Sequence, residues 1–432
     1  MRMIIIGCGT GGLQAAYALA KGGCDVTVYE KKAREALAYD WRDNVEPGVF
    51  AQLEIPFPET TYLCECVSMY GPNAEKPLFI AADRAALDRN LDRRELAELL
   101  VTRAASAGAA IRFETPVDAL ITEDGKVRGV IVGGKAEKAD LVIDASGIFS
   151  PFRASLPGLA EPAKDEYFVA WRAYYKMKDG AEAPEKNRRR VYLRHMGQNG
   201  LSWCVAEPDG TLDVLVGRTG ELPDAVLADA LARLRADNPY LSDAVVRAGQ
   251  KAVIPIRQPA AILVREGYAL VGDSAFMTIP LRGSGIAQSL RAGQMLADAV
   301  LAAGNAYLHT LWKYQVRFYR EIGAKQFVTD AIKRFVLTAD ADKLRDAFTC
   351  GLITDGDLRG IMTGEGFSLS ARSALEKLRI ALPRTPFLAK MGKAALAGVR
   401  LSRLAKAIPD RYDPAKVRAW TDEMTRLTTD RP

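Results

Sequence analysis

The 432-residue sequence predicts an α/β protein with a parallel sheet between helices, a second domain built on an antiparallel sheet, and a helical C-terminal region. Three observations predict it. Short apolar runs at 3–6, 141–145 and within "GYALVGDSAF" read as buried parallel strands, two of them leading through glycines into helical stretches. The stretch "DEYFVAWRAYYKMKDG…RRRVYLRHMGQNGLSWCVAEPDGTLDVLVGRTG" alternates apolar and polar residues and breaks at Gly180, Gly197, Gly200 and Asp209-Gly210, the pattern of antiparallel strands. From Tyr307 onward the pattern is helical, with breaks at Gly351, Pro383, Pro386 and Pro409. The length exceeds the roughly 250 to 300 residues at which one core stops growing. We therefore divide the chain into 1–160, 161–256, 257–305 and 306–432, the first and third completing one nucleotide-binding domain around the second.

The first element is "MRMIIIGCGTGGLQAAYALAKGGCDVTVYEKK", a strand, four glycines, a helix over 13–20 and a second strand at 25–29. Gly7, Gly9, Gly11 and Gly12 allow a tight turn and a close approach of backbone to a ligand, and the helix start beside Thr10 turns its amides and positive dipole end toward a pyrophosphate. The second strand ends in Glu30, followed by Lys31, at the distance where an acid accepts hydrogen bonds from a ribose 2′-hydroxyl. A carboxylate there would repel a 2′-phosphate, so the fingerprint selects FAD or NAD over NADP.

The stretch from residue 33 to 90 has no clear period, and its short runs read as strands and loops inserted into the nucleotide domain. A helix follows from Arg93 to about Ala107, stopped by Gly108, and then a hairpin turning at Asp124-Gly125. "PDAVLADALARLRADNP" is an amphipathic helix.

Composition excludes several classes. At 49% hydrophobic and 26% charged the chain is an ordinary globular protein, no apolar run approaches the roughly 18 residues of a membrane span, and a signal-peptide pattern is lacking, so a cytoplasmic location is expected. The six cysteines are scattered and give neither a zinc nor an iron–sulfur set, so no metal is expected. Cys64 and Cys66 remain a redox candidate pair beside a structural reading. His195 and His309 are read as structural or solvated. Between 371 and 411 ten Lys/Arg face only Glu376 and Asp410, more than the whole formal charge of +6. This basic tail is read as a solvated helical cap, with a peripheral membrane contact as the sharper alternative; it carries no nucleic-acid motif, and no nucleic acid is expected as a partner.

Four separated pieces, "GCGTGG" with Glu30, "LDRRELAELL", "ADLVIDASGIFSPFR" and "YALVGDSAFMTIPLRGSGIAQSL", resemble the motifs of the FAD enzymes related to para-hydroxybenzoate hydroxylase. Within that superfamily the Gly-Asp segment is most similar to the geranylgeranyl reductase group. The resemblance implies a Rossmann-like FAD-binding domain of the hydroxylase type. It also implies that Arg93 contacts the cofactor, that Val117 lies by the adenine through its backbone, and that Ser146 and Gly147 let the chain pass close to FAD. Gly272 and Asp273 would bind the ribityl and pyrophosphate region, with Gly283, Ser284, Gly285 and Ile286 opening a helix toward the flavin. Two segments depart from the group: "YDWRDNVEPG" stands where it carries Pro-Cys-Gly-Gly, and "LSWCVAEP" keeps only Trp203 of its Tyr-x-Trp-x-Phe-Pro.

Trp203, Trp171 and Tyr192, with Pro280 of the Gly-Asp loop, are the expected lining of an apolar substrate pocket. A flavin carries the electron or hydride chemistry itself, which accounts for the lack of an acid/base constellation in the sequence; proton donors remain open among a tyrosine, Cys204 and water. The expected function is an FAD-dependent reductase or dehydrogenase acting on an apolar, isoprenoid or lipid-like substrate. A flavin monooxygenase hydroxylating an aromatic compound and a non-catalytic flavin-bound redox sensor are the alternatives. No second nucleotide fingerprint is evident, so the electron donor is expected to be external, a nicotinamide or a small redox protein.

Overall fold

The computed structural model describes residues 1–64, 66–73, 76–81, 88–154, 162–181, 188–358, 380 and 385–429. Parallel strands Ala110–Arg112, Asp25–Tyr29, Arg2–Ile6, Leu141–Asp144 and Tyr268–Leu270 lie side by side in that order, and Val264–Arg265 closes the edge antiparallel. Met3, Ile4, Ile5 and Val142 are fully buried because the helix Thr10–Lys21 and a three-stranded antiparallel sheet, Ala119–Glu123, Lys126–Val132 and Lys135–Lys138, pack on this sheet. Leu141 to Asp144 come from the middle of the chain and Tyr268 to Leu270 from beyond the second domain, so three sequence-distant strands meet in one sheet.

The second domain is a seven-stranded sheet in the order Leu241–Pro255, Tyr167–Met177, Leu212–Thr219, Gly200–Ala206, Arg188–Leu193, Cys66–Tyr70 and Leu78–Ala81. Its last two strands come from the span assigned by sequence to inserts of the nucleotide domain. Cys66–Tyr70 pairs parallel to Arg188–Leu193, a register no local pattern announces. The helix Asp224–Asp237 covers one face, packing Leu227, Ala230 and Leu234 against Ala173, Tyr175, Cys204 and Val214. The opposite face looks toward the cofactor domain, where a small sheet of Arg42–Val45, Arg89–Asp92 and Tyr62–Leu63 meets it. The hairpin at Asp124-Gly125 forms as expected, both residues in the left-handed region.

C-terminal helices Leu308–Phe318, Ala324–Thr338 and Ala341–Thr349 continue from the nucleotide domain. Part of the basic tail, including Arg372, Lys377, Arg379 and Arg384, lies outside the described residues. Lys390, Lys393, Arg400, Arg403 and Lys406 of that tail lie in the helix Thr385–Lys406, which buries Phe387, Leu401 and Ala405 against the body and crosses Ala324–Thr338 so closely at Gly398 that a Cβ there would stand 2.9 Å from the Ala331 Cβ. Among the described residues no helix is long and apolar enough to cross a membrane.

Candidate functional site

The carboxyl edge of the parallel sheet gathers most of the residues singled out by sequence. Gly7 leaves the first strand with φ +93°, and a Cβ on it would lie 2.7 Å from the Ala145 carbonyl oxygen. The helix Thr10–Lys21 starts from Gly9 and the helix Ile286–Ala303 from Gly285, and neither start carries a side-chain cap. Both first turns therefore present unsatisfied amides and a positive dipole end. The two helices cross in direct backbone contact, in the first turn of Thr10–Lys21 and two turns into Ile286–Ala303. A Cβ on Gly293 would stand 2.2 Å from the Gly11 carbonyl oxygen, and one on Gly11 would stand 2.4 Å from Val271 Cγ1 and 2.8 Å from the Ser289 oxygen. The glycines of the fingerprint thus make room for the second helix as much as for a ligand.

Glu30 is buried, its Oε2 accepting from the Cys8 amide (2.8 Å) and its Oε1 from the Lys32 amide (2.9 Å). Each oxygen keeps a further lone pair. Lys31 is exposed, while Val117 packs at the margin of the core, and the Thr115 amide donates to the Glu30 carbonyl (2.8 Å), bringing that segment beside the acid. Ser146 donates to Asp144 through its amide (2.9 Å) and hydroxyl (2.6 Å), Gly147 turns at φ +95° with open space where a Cβ would be, and Tyr268 donates to the same fully buried carboxylate (2.6 Å). Asp144 thereby anchors the Ser146-Gly147 turn, a role the sequence reading did not find.

On the far side Gly272 (φ +78°) opens the Gly-Asp turn. Asp273 Oδ1 accepts from Thr278 Oγ1 (2.9 Å), and burial raises its carboxyl while that bond and Arg93 oppose the rise. A Cβ on Gly285 would lie 2.7 Å from Thr278 Oγ1 and would displace the hydroxyl that holds Asp273. Gly283 (φ +64°) and the Ile279–Ser284 bridge shape the loop that holds buried Pro280 and leads into Ile286. Arg93 opens its helix beside Asp92, which caps it by accepting from the Arg94 amide (2.8 Å), and Arg93 Nη1 donates to Asp43 Oδ2 (3.0 Å).

Asp43 is the pivot between the domains. Its Oδ1 accepts from Arg172 Nη1 (2.8 Å), and Arg172 is itself held by both oxygens of Asp213 (2.8 and 2.7 Å). Asp43, pressed upward by burial, is kept below the usual carboxylate range by its two arginines. Arg172 lies between the rings of Trp41 (5.6 Å) and Trp203 (5.1 Å), and Trp41 stacks on Tyr39 at 4.3 Å. Sequence reasoning missed Asp43, Tyr39, Trp41, Arg172 and Asp213. A signal existed for two of them, since Arg172 and Asp213 are charges flanked by apolar residues inside strands, and such charges pair when buried.

Trp203 faces the cofactor domain, whereas Trp171 and Tyr192 do not. They lie on the other face of the sheet, packed on the cluster under the helix Asp224–Asp237, with Tyr192 stacked on Tyr70 at 4.9 Å. Strand alternation explains the correction: Trp171 neighbours Arg172, and it is the arginine that points inward. Cys204 shares the Trp171 face and burial pushes its thiol up to about 12, so it offers no proton on the Trp203 side. Burial likewise raises the Cys64 thiol in spite of nearby Arg189, the opposite of a reactive thiolate. His195 is buried against Ser202 (3.0 Å), its pKa lowered to about 4 by burial and the charges of Arg218 and Arg233. Among the described residues no group of His, Cys, Asp and Glu is arranged to hold a metal.

Comparison with known proteins adds to this geometry. A family described as FAD dependent oxidoreductase matches residues 71–299, more than half of the chain, and an NAD(P)-binding Rossmann-like domain matches residues 5–56. Digeranylgeranylglycerophospholipid reductase of Sulfolobus acidocaldarius is 23% identical over 450 residues, covering 99% of this chain and 97% of that protein. Digeranylgeranylglycerophospholipid reductase 2 of Methanopyrus kandleri is 26% identical over 336 residues, covering 74% and 83%. Among solved structures, a geranylgeranyl bacteriochlorophyll reductase-like protein from Thermoplasma acidophilum superposes with a TM-score of 0.73 at 19% identity, covering 91% of this chain and 98% of its own.

Proposed function

The chain belongs to the FAD dependent oxidoreductases, and on that premise we propose that it reduces or dehydrogenates an apolar, isoprenoid or lipid-like substrate with FAD as its cofactor. The observation that carries the cofactor assignment is the pair of uncapped helix starts at Thr10 and Ile286, whose helices are locked together where Gly293 crosses Gly11, with Glu30 beside the first start and Asp273 before the second. Two positive helix ends over one cleft suit a pyrophosphate, and the flanking acids suit the hydroxyls of ribose and ribityl. The substrate class is supported by whole-length relatives named for a prenylated phospholipid.

In this reading Glu30 takes the adenosine ribose, the amides after Gly9 and Gly285 take the pyrophosphate and the flavin end, and Arg93, braced by Asp43, borders the ring. FAD, when bound, supplies the electron pair. The protein's own work is to orient and to exclude water: Tyr39, Trp41, Arg172 and Trp203 form a stacked wall. Tyr39, stacked on Trp41 and with the Arg93 guanidinium over its ring, is the proton source we assign. The electron donor is external, a nicotinamide or a small redox protein.

We also infer a peripheral membrane contact. The helix Thr385–Lys406 has no acidic residue, and beside its buried side it exposes Leu396 (72%) and Val399 (38%) among Lys390, Lys393, Arg400, Arg403 and Lys406. Such a face suits an anionic lipid surface from which a lipid-like substrate is drawn.

The test is anaerobic: holoprotein is reduced with dithionite, mixed with a polyprenyl lipid, and followed at the oxidised flavin band. Reoxidation with a product two mass units heavier is expected. Reoxidation that instead needs air and inserts oxygen would overturn the reductase reading. Flotation with anionic and neutral liposomes, with Leu396→Asp as the variant, checks the membrane contact. Binding indifferent to lipid charge would refute it.

A further inference from the structure

The face of the antiparallel sheet that meets the cofactor domain contains a cation whose partners are missing. Arg189 lies two residues before Val191, on the same face as Trp203, with its guanidinium 4.8 Å from the Trp203 ring. Among the described residues no carboxylate lies within 4 Å of it. Its one hydrogen bond is a long one, Nη2 to Asn44 Oδ1 (3.3 Å), and that oxygen already accepts from Asn90 Nδ2 (2.9 Å). Arg189 Nε and Trp203 Nε1 are both buried donors without an acceptor.

Two of the neighbouring carboxylates are engaged elsewhere, and the third is held at a distance from Arg189. Asp213 gives both oxygens to Arg172, and Asp43 gives one oxygen to Arg172 and the other to Arg93. Glu207, only 2% exposed, is held through Oε2 by the Tyr62 hydroxyl, while its Oε1 has no partner. A buried guanidinium without a counter-ion and a buried indole N–H without an acceptor are both costly, and both are expected to be completed by something that is not part of the chain. The two orphaned donors belong to stacked side chains, so one ligand group can meet both. A planar or tetrahedral oxyanion is what a guanidinium fork accepts best.

We propose that Arg189 and Trp203, with Glu207 at their side, form a binding site for an oxyanion that is the carboxylate or phosphate end of the substrate. The proposal rests on the substrate reading above and deepens it: the substrate is amphiphilic, with its anionic end at Arg189 and its apolar part along the Trp41–Trp203 wall. Location supports this. Asn44, which touches Arg189, directly follows Asp43, which braces Arg93, so the site adjoins the cofactor cleft without using any residue assigned to the cofactor. Glu207, raised to about 7 by burial and by Asp213, is about half protonated near neutral pH, and an anion bound beside it favours its protonated form.

The experiment is a spectroscopic titration of the FAD-loaded protein with two chain-matched pairs, farnesoate against farnesol and dodecanoate against dodecanol, with acetate and inorganic phosphate as free anions. Both acids are expected to perturb the flavin spectrum at concentrations at least about tenfold below their alcohols, the scale of one charge-assisted hydrogen-bonded contact. Arg189→Met should abolish that preference with FAD content unchanged. Trp203→Phe, which keeps the ring and removes the N–H, should reduce the preference a few-fold and covers the case in which Arg189→Met fails to fold. Equal binding of acid and alcohol, binding of neither, or acetate or phosphate binding as tightly as the lipid acids would overturn the proposal. Acid preference in both pairs with no advantage for the prenyl chain would leave the site standing and refute the isoprenoid reading alone.

Discussion

Gly293→Ala adds one methyl group at the tightest point of the cofactor cleft. Its Cβ would be built 2.2 Å from the Gly11 carbonyl oxygen and 3.1 Å from the Ala15 amide nitrogen, and both atoms are backbone that cannot rotate away. Ordinary contact begins near 3.4 Å, so the two helices must separate by roughly 1 Å at the crossing. Overpacking of this kind costs about 1 to 3 kcal/mol. The helix starts that we assign to the pyrophosphate and the flavin move with the helices. If the strain is expressed in cofactor binding, FAD affinity falls by a factor of about 5 to about 150; if it is expressed in folding, the thermal midpoint falls by about 2 °C for each kcal/mol. The assay is reconstitution of apoprotein with FAD by flavin fluorescence, together with thermal unfolding of the apo and holo forms. Gly304→Ala is the control, because it lies at the end of the same helix with φ +64° and open space where its Cβ would be. That change should cost about 1 kcal/mol of stability through its backbone alone and leave FAD affinity untouched. A Gly293→Ala protein with native midpoint and native FAD affinity would refute the argument that this crossing sets the cleft.

Glu30→Gln places an amide group where both carboxylate oxygens accept from backbone, so FAD affinity should fall about tenfold or more in the same reconstitution assay. Trp203→Ala should slow substrate-dependent flavin reoxidation at least about tenfold with FAD content kept, whereas Trp171→Ala, on the helix-covered face, should lower the thermal midpoint and leave that rate within about twofold. Glu207 has a folded pKa of about 7, above its unfolded value, because of burial and Asp213, opposed by Tyr62, Arg189 and Arg172; its contribution to stability is present at low pH and is lost as pH rises from about 4.5 to about 7. His195, at about 4 in the folded state, has the opposite sign: stability is lost as pH falls from about 6.5 toward 4. The two slopes oppose each other in the wild type, so Glu207→Gln should expose a midpoint that drops on acidification below pH 6.5, and a variant whose pH profile overlays the wild type would refute the assignment.

How far the sequence discloses such a site depends on how local its causes are. The fingerprint, Glu30 and the Gly-Asp turn are legible because each is a short strand, a glycine turn and a helix start, whose conformations are decided within a few residues. What Gly11 packs against is not legible, because Gly293 comes almost three hundred residues later and its role appears only when the helices cross. The pocket wall was misread for a related reason. Both faces of the antiparallel sheet are buried, one by the helix Asp224–Asp237 and one by the cofactor domain, so hydrophobic alternation cannot say which face Trp171 or Trp203 occupies. The charges carried that information instead. Arg172 beside Trp171, and Asp213 between Leu212 and Val214, stand at positions where an isolated charge needs a partner in the interior, and their pairing identifies the face that meets Asp43. The same logic leaves Arg189 as the one cation of that face, among the described residues, that the chain itself does not neutralise. The charge absent from the folded chain is for that reason the basis on which we propose an anionic end for the substrate.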